Sequence, residues 1–389
     1  MAASAPRVAA PRGGGVTPAR RIRVLHVITS LTVGGAERLV ISAVRGLPSD
    51  RYEHAICCLA EPGARAAEAA GAGVPVVCIG GFPGLRHPLA FARLFRVIRR
   101  ASPTIVHTHL QSANLYGRAA ARLAAVPIVI ATEHNVYTQK PRRYVMVERQ
   151  LARATDVLIA VSTNVQQFLS AQLALPASAI RVVRNGVAPA APSPDRVAAL
   201  RARAGDGAPI VAVVASLTRK KGHDCLLRAI AMLRERGVAC HVLLAGEGPE
   251  RVRLESLAAD LGLGGVVQFL GALPGSADVL AVADLFVLPS IAEGMPLALL
   301  EAMQAGKAVV ATAVGGVPEV IQPEVNGILV PPADAPTLAD AMARLAASRN
   351  LREQLGAEAQ RTVAREYTEA AYLAALDAIY TEAAGRRST

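Results

Sequence analysis

Leu285-Phe286-Val287-Leu288-Pro289-Ser290-Ile291-Ala292-Glu293-Gly294-Met295-Pro296-Leu297 reads as a strand, a tight turn and the opening of a helix. Four apolar residues in a row, Leu285–Leu288, suit a strand covered on both faces. Gly294 permits close approach of a ligand, and Pro296 suits the first position of a helix that runs on through Gln304. A helix start offers bare backbone N–H groups and the positive end of a dipole, a place for an anion or a hydroxyl-rich ligand. Glu293 stands at that mouth. Glu301 follows about 7.5 Å further down the helix, at about 1.5 Å per residue from Pro296. A pair of solvated glutamates flanking an amphipathic helix is the alternative.

Outward from this unit the same alternation covers the chain. Strand-like runs follow at Ala308–Ala311 and Ile328–Val330, and precede at Ile210–Ala215, His241–Ala245 and Val266–Leu270. In the first half they are Val24–Ile28, His54–Leu59, Val76–Ile79, Ile105–His109, Ile128–Thr132, Val157–Val161 and Arg181–Val183. Ala/Leu/Arg stretches with helical periodicity separate them, the βαβ signature of parallel sheets. The alternation breaks at Ala188–Asp195, where Pro189, Pro192 and Pro194 cluster, and the polar stretch to Pro209 reads as linker. With 389 residues, the expectation is two doubly wound α/β domains of Rossmann type facing across a cleft. Residues 1–20 read as a disordered arm, 21–187 as the first domain and 188–368 as the second. The closing helical stretch, residues 369–384, is expected to pack back on the first domain.

The net charge of +12 is unevenly placed, +15 over residues 1–187 and −3 over the rest. The first half is therefore expected to meet an anionic partner. Leu89–Arg100 places Arg93, Arg96 and Arg100 at helical spacing among apolar residues, either a solvated face or a dock for anionic lipid. Aromatic residues are only 3% and Trp is absent, so no stacking platform supports a nucleic-acid partner. No long apolar window and no signal-peptide core occur, and the five cysteines form no C-x-x-C pair. The expected location is cytoplasmic, peripheral at the inner face of the membrane if the lipid reading holds.

In the first half Gly34-Gly35 lies between a strand and a helix, either a ligand-approaching turn or a structural one. Ile105-Val106-His107-Thr108-His109 ends a strand with two histidines on one face, and no third carboxylate or thiol is evident at metal-ligand spacing. His107 reads as a core histidine. Glu133 and His134 end the next strand, either as candidates for lining the cleft on the side of a second, acceptor-type ligand or as members of a satisfied loop network. No Asp-x-Asp occurs, so no metal is expected to hold a nucleotide.

The Glu293-x7-Glu301 pair after Leu288-Pro289-Ser290, with Glu293-Gly294-Met295-Pro296, resembles the signature of retaining glycosyltransferases of family 4, which have the GT-B fold. Ala215–Asp224, Leu244–Pro249, Val267–Gly271 and Val314–Glu319 resemble further segments of that family in the same order. The resemblance implies a nucleoside-diphosphate sugar as co-substrate, with no further cofactor. Lys221 would contact the diphosphate, Glu301 the ribose and Glu293 the transferred sugar. Gly246 and Gly248 would form the phosphate-side loop, and Leu270 would meet the base through its main chain. Backbone around Gly294, Met295, Pro296, Leu297 and Gly316 would line the pocket, with Gly34 and Gly35 opposite. His109 would join Glu293 and Lys221 as an active-site residue. The family commonly has an Arg five residues before the Lys; here Ser216 stands there. The implied activity is transfer of a hexose to a hydroxyl of a glycan or lipid-linked acceptor, in cell-surface polysaccharide synthesis. A non-catalytic protein that binds anionic surfaces and an epimerase of the same fold remain as alternatives.

Overall fold

The computed structural model describes residues 21–80, 88–137, 141–204 and 207–387; the arm read at 1–20 lies outside them. The first sheet contains β1 (Ile22–Ser30), β2 (Tyr52–Glu61), β3 (Val76–Cys78), β4 (Ile105–His109), β5 (Ile128–Glu133), β6 (Val157–Ala160) and β7 (Ile180–Val182). The second contains β8 (Ile210–Val214), β9 (His241–Ala245), β10 (Val267–Gly271), β11 (Leu285–Leu288), β12 (Ala308–Thr312) and β13 (Ile328–Val330). Their orders are β3-β2-β1-β4-β5-β6-β7 and β10-β9-β8-β11-β12-β13, parallel throughout. Strands β4, β5, β11 and β12 are buried along their whole length, as expected where helices cover both faces.

Each sheet reverses its order at one place, between β1 and β4 and between β8 and β11. The connections from these paired strands leave in opposite directions. A crevice must therefore open beyond their carboxyl ends, where open α/β sheets bind ligands. Gly34 and Gly35 follow β1, His109 ends β4, Ser216 and Lys221 follow β8, and Glu293 follows β11.

The stretch to Pro209 is not linker throughout. Pro194–Ala204 is a helix of the second domain, held by Asp278, which accepts from Ser193 N at 2.6 Å and pairs with Arg196. Pro194 supplies the fixed φ that suits a helix start, so the proline cluster ends one element and begins the next.

After a helix over Arg349–Glu366, the chain returns to the first domain as the helix Glu369–Gly385. Thr368 caps it, accepting from Ala371 N at 3.2 Å. Asp377 accepts from Tyr52 Oη at 2.6 Å and Arg51 at 2.8 Å. Tyr380, fully buried, bonds His107 Nδ1 at 2.6 Å. Tyr380→Phe keeps the packing but leaves that ring nitrogen unpaired, and should cost about 1–3 kcal/mol. Urea unfolding measures it; an unchanged midpoint would show that the Tyr380–His107 bond adds nothing to stability.

Candidate active site

A cavity of about 440 Å³ lies between the two domains, within the size range of small-ligand sites. Of the residues singled out by sequence, Gly34, Gly35, His134, Lys221, Gly246, Glu293, Gly294, Met295, Pro296, Leu297 and Glu301 line it.

The second-domain wall is built from the loops after β8 and β11. Gly222 has φ +67°, and a Cβ there would overlap the carbonyl oxygen of Pro289, so only glycine lets the loops close. Lys220 O accepts from Ile291 N at 2.7 Å across the same seam. This brings Lys221 Nζ to 2.5 Å from Glu293 Oε1, which also accepts from Ser290 Oγ at 2.6 Å. Both partners are largely withdrawn from water, with side-chain exposures of 15% and 5%. Breaking such a pair from one side leaves an uncompensated buried charge, so it is rigid and electrostatically demanding. Glu301, eight residues on, accepts from Ser276 Oγ at 2.5 Å and pairs with Arg38, which crosses the cleft from the first domain.

The first-domain wall begins with Gly34 and Gly35 at the start of the helix Gly35–Gly46. Its Glu37 is buried, and desolvation raises its pKa above the ordinary carboxylate value despite nearby Arg65 and Lys220. Behind the wall the imidazoles form a chain. His54 Nδ1 lies 3.3 Å from His26 Nε2, and His26 Nδ1 lies 3.2 Å from His109 Nε2. His109 Nδ1 in turn lies 3.3 Å from His134 Nε2, the member that reaches the cavity. A neutral imidazole has one donor and one acceptor, so four uncharged rings can bond head to tail, with His54 Nε2 left buried and unpaired at one end. Burial lowers their pKa values accordingly, His54 and His134 to about 4 and the neighbouring His107 to about 3.

The structure adds a third ring to the pair His107 and His109. His26, aligned with His107 across β1 and β4, brings three ring nitrogens within 4.8 Å of one another. Strand pairing, invisible in linear spacing, supplies it. His26 and His109 are already engaged with each other, and His107 with Tyr380 and Thr132 Oγ1, so hydrogen bonding accounts for the grouping. His109 thus meets the cavity only through His134. Glu133 is buried at the end of β5 and accepts from His134 N at 3.2 Å. Gly248, Leu270 and Gly316 lie outside the cavity lining. The amide of Gly316, expected to line the pocket, instead donates to Gly294 O at 2.7 Å. The amide of Gly246 likewise donates to Gly271 O at 2.8 Å.

Sequence reading missed Arg38, Arg65, Ser276 and Asn185, all of which line the cavity. Asn185 donates to Met295 O at 2.7 Å from the other domain. These partners lie far apart in the chain, so no local pattern marks them.

Family models fit both halves: "Glycosyltransferase Family 4" over residues 33–191 and "Glycosyl transferases group 1" over residues 201–362. The D-inositol 3-phosphate glycosyltransferase of Saccharomonospora viridis is 34% identical over 307 residues, 72% of this chain and 70% of that one. The chain is a family 4 glycosyltransferase of the GT-B fold. EpsF of Bacillus subtilis, named as a glycosyltransferase, is 30% identical over 298 residues, 73% of this chain and 77% of its own length. The structure of Anabaena HepE in complex with UDP and glucose superposes with a TM-score of 0.82 at 23% identity, over 93% of this chain and 100% of that one.

The neutral histidines make stability depend on pH. Their folded pKa values lie below the ordinary 6.5, so between about 6.5 and about 4 the unfolded chain binds protons that the folded chain refuses. Stability is fully present above pH 6.5 and falls as pH drops through this window, by up to ~1.4 kcal/mol per histidine per pH unit. Thermal unfolding at pH 7, 6 and 5 should show a falling Tm, with a shallower fall for His54→Asn. A flat profile would contradict the neutral chain.

Proposed function

We propose that this glycosyltransferase moves a hexose, with retention and without a metal ion, from a nucleoside-diphosphate sugar to a hydroxyl of a glycan or lipid-linked acceptor in cell-surface polysaccharide synthesis. The observation that carries this reading is the Lys221–Glu293 pair beside the opening of the helix Leu297–Gln304, inside the cavity. A lysine and a row of bare amides together offer what a departing diphosphate needs: fixed positive charge placed before the reaction begins.

In this reading the diphosphate takes Lys221 from Glu293, and the carboxylate of Glu293 turns to hydroxyls of the transferred sugar. Glu301, about one turn into the helix, exchanges its contacts with Arg38 and Ser276 for the ribose diol. The bond from the anomeric carbon to the phosphate oxygen breaks, and the acceptor oxygen bonds that carbon on the same face. The acceptor proton passes to the departing phosphate. The UDP and glucose of the HepE structure and the naming of EpsF as a glycosyltransferase support this assignment. Among the described residues no helix is long and apolar enough to cross a membrane. The basic helix Pro88–Ala101, with Leu89 exposed beside its arginines, is the proposed contact with anionic lipid.

The test is a panel of UDP-, GDP- and ADP-sugars assayed for hydrolysis and transfer. Lys221→Met should lower turnover about 100-fold, the scale of losing one charge-stabilising donor. Glu301→Ala should weaken donor binding about tenfold with less effect on turnover. Unaltered kinetics in both variants would discard the site. Separately, a strong chelator should leave the rate unchanged; its abolition would overturn metal independence.

A further inference from the structure

Four cationic side chains line the cavity: Arg38 and Arg65 from the first domain, Lys220 and Lys221 from the second. Two are matched by carboxylates inside it, Arg38 by Glu301 and Lys221 by Glu293. The other two are not. Arg65 is 8% exposed, an unusual burial for a guanidinium. Its Nη1 holds Glu68, in the short helix that Arg65 precedes, at 2.8 Å, and Nη2 approaches Pro274 O only at 3.5 Å. Its Nε is buried with no partner. A guanidinium has five N–H donors, so this fork is under-used where an orphaned donor is costly.

Lys220 projects from the loop seam fixed by Ile291 N, and no described carboxylate lies within ion-pair distance of it. Partial desolvation in the cleft and the adjoining Lys221 both press its pKa down. The carboxyl that feels both Arg65 and Lys220 is Glu37, and burial weakens it as a permanent counter-ion. At the start of the same loop Ser216 presents a hydroxyl whose nearest side-chain partner is Thr218, 3.5 Å away. The walls therefore have an unused donor at Arg65 and a cation without a carboxylate partner at Lys220, the conditions that an oxyanion relieves.

We propose that Arg65 and Lys220, one from each wall, form a phosphate-binding subsite separate from the Lys221–Glu293 pair. Arg65 supplies a planar fork and Lys220 a point charge. The subsite draws the domains together because each holds half of it. The phosphate comes either from the donor's diphosphate or from a phosphate on the acceptor, and the proposal rests on the transferase reading above.

The test is calorimetric titration of the full chain and of Lys220→Gln, Arg65→Gln and Arg65→Lys. Titrants are UDP, GDP and ADP, the corresponding monophosphates, and inorganic phosphate added to the diphosphate-loaded protein. Lys220 is exposed to the cleft, so Lys220→Gln folds; melting curves check the Arg65 variants, and Arg65→Lys keeps the charge without the fork. With the donor as source, diphosphate affinity falls about tenfold in Lys220→Gln and in Arg65→Gln, less in Arg65→Lys, while monophosphate affinity holds. With the acceptor as source, diphosphate affinity holds, and inorganic phosphate binds the loaded wild type but not the two glutamine variants. Wild-type affinities for every titrant in Lys220→Gln and in folded Arg65→Gln would overturn the subsite and leave the transferase reading standing. A wild type that binds none of the nucleotides would remove both.

Discussion

The contact between Lys221 and Glu293 is the constraint around which the second-domain wall is arranged. The two residues belong to loops after different strands, β8 and β11, which are neighbours in the sheet at its reversal point. Their side chains meet only because the backbones meet first, at Gly222 against Pro289. Thr312 Oγ1 then ties the Ser290 carbonyl at 2.5 Å from the end of β12, so three successive carboxyl ends hold one carboxylate. An ion pair withdrawn from water is a weak source of stability and a strong source of position. It also keeps a cation in place for a competing anion, which is how a static structure can be poised for a ligand.

The same economy governs the junction of the domains. Gly294 lies so close to the His134 carbonyl that a side chain would overlap it, and Asn185 reaches across to Met295 O. Glu319 of the second domain accepts from Thr163 N at 3.0 Å and Asn164 N at 2.8 Å, capping a first-domain helix with a carboxylate favoured by the helix dipole. Arg38 on Glu301 adds a charged contact directly over the cavity. These polar contacts sit beside an apolar cluster that runs through both domains, with Leu39 and Val161 on one side and Met295 and Leu297 on the other. The helix Glu369–Gly385 joins the two at the back, where Tyr380 and the histidine chain make the first domain's interior depend on the last segment of the chain.

What could be read from sequence was whatever is local. Runs such as Ile105–His109 and Leu285–Leu288 announce buried parallel strands, and the turn from Ser290 to Pro296 announces the helix mouth, because neighbours in sequence carry the signal. The family resemblance alone is enough to group Lys221, Glu293 and Glu301 in one site. The partners of Glu301 stayed hidden: Arg38 and Ser276 reach it from 263 and 25 residues away. His26 stayed hidden for the same reason, since only the β1–β4 register brings it beside His107. The helix Pro194–Ala204 was obscured by composition, its prolines marking a helix start as readily as a linker.

The central claim is that the lysine and the helix amides receive the diphosphate that Glu293 now displaces. A crystal structure with a nucleoside diphosphate bound tests it most directly. The account requires Lys221 Nζ to have left Glu293 for a phosphate oxygen, with the phosphates facing the start of the helix Leu297–Gln304. A nucleotide bound with the Lys221–Glu293 pair intact, or held there through a divalent ion, would contradict it.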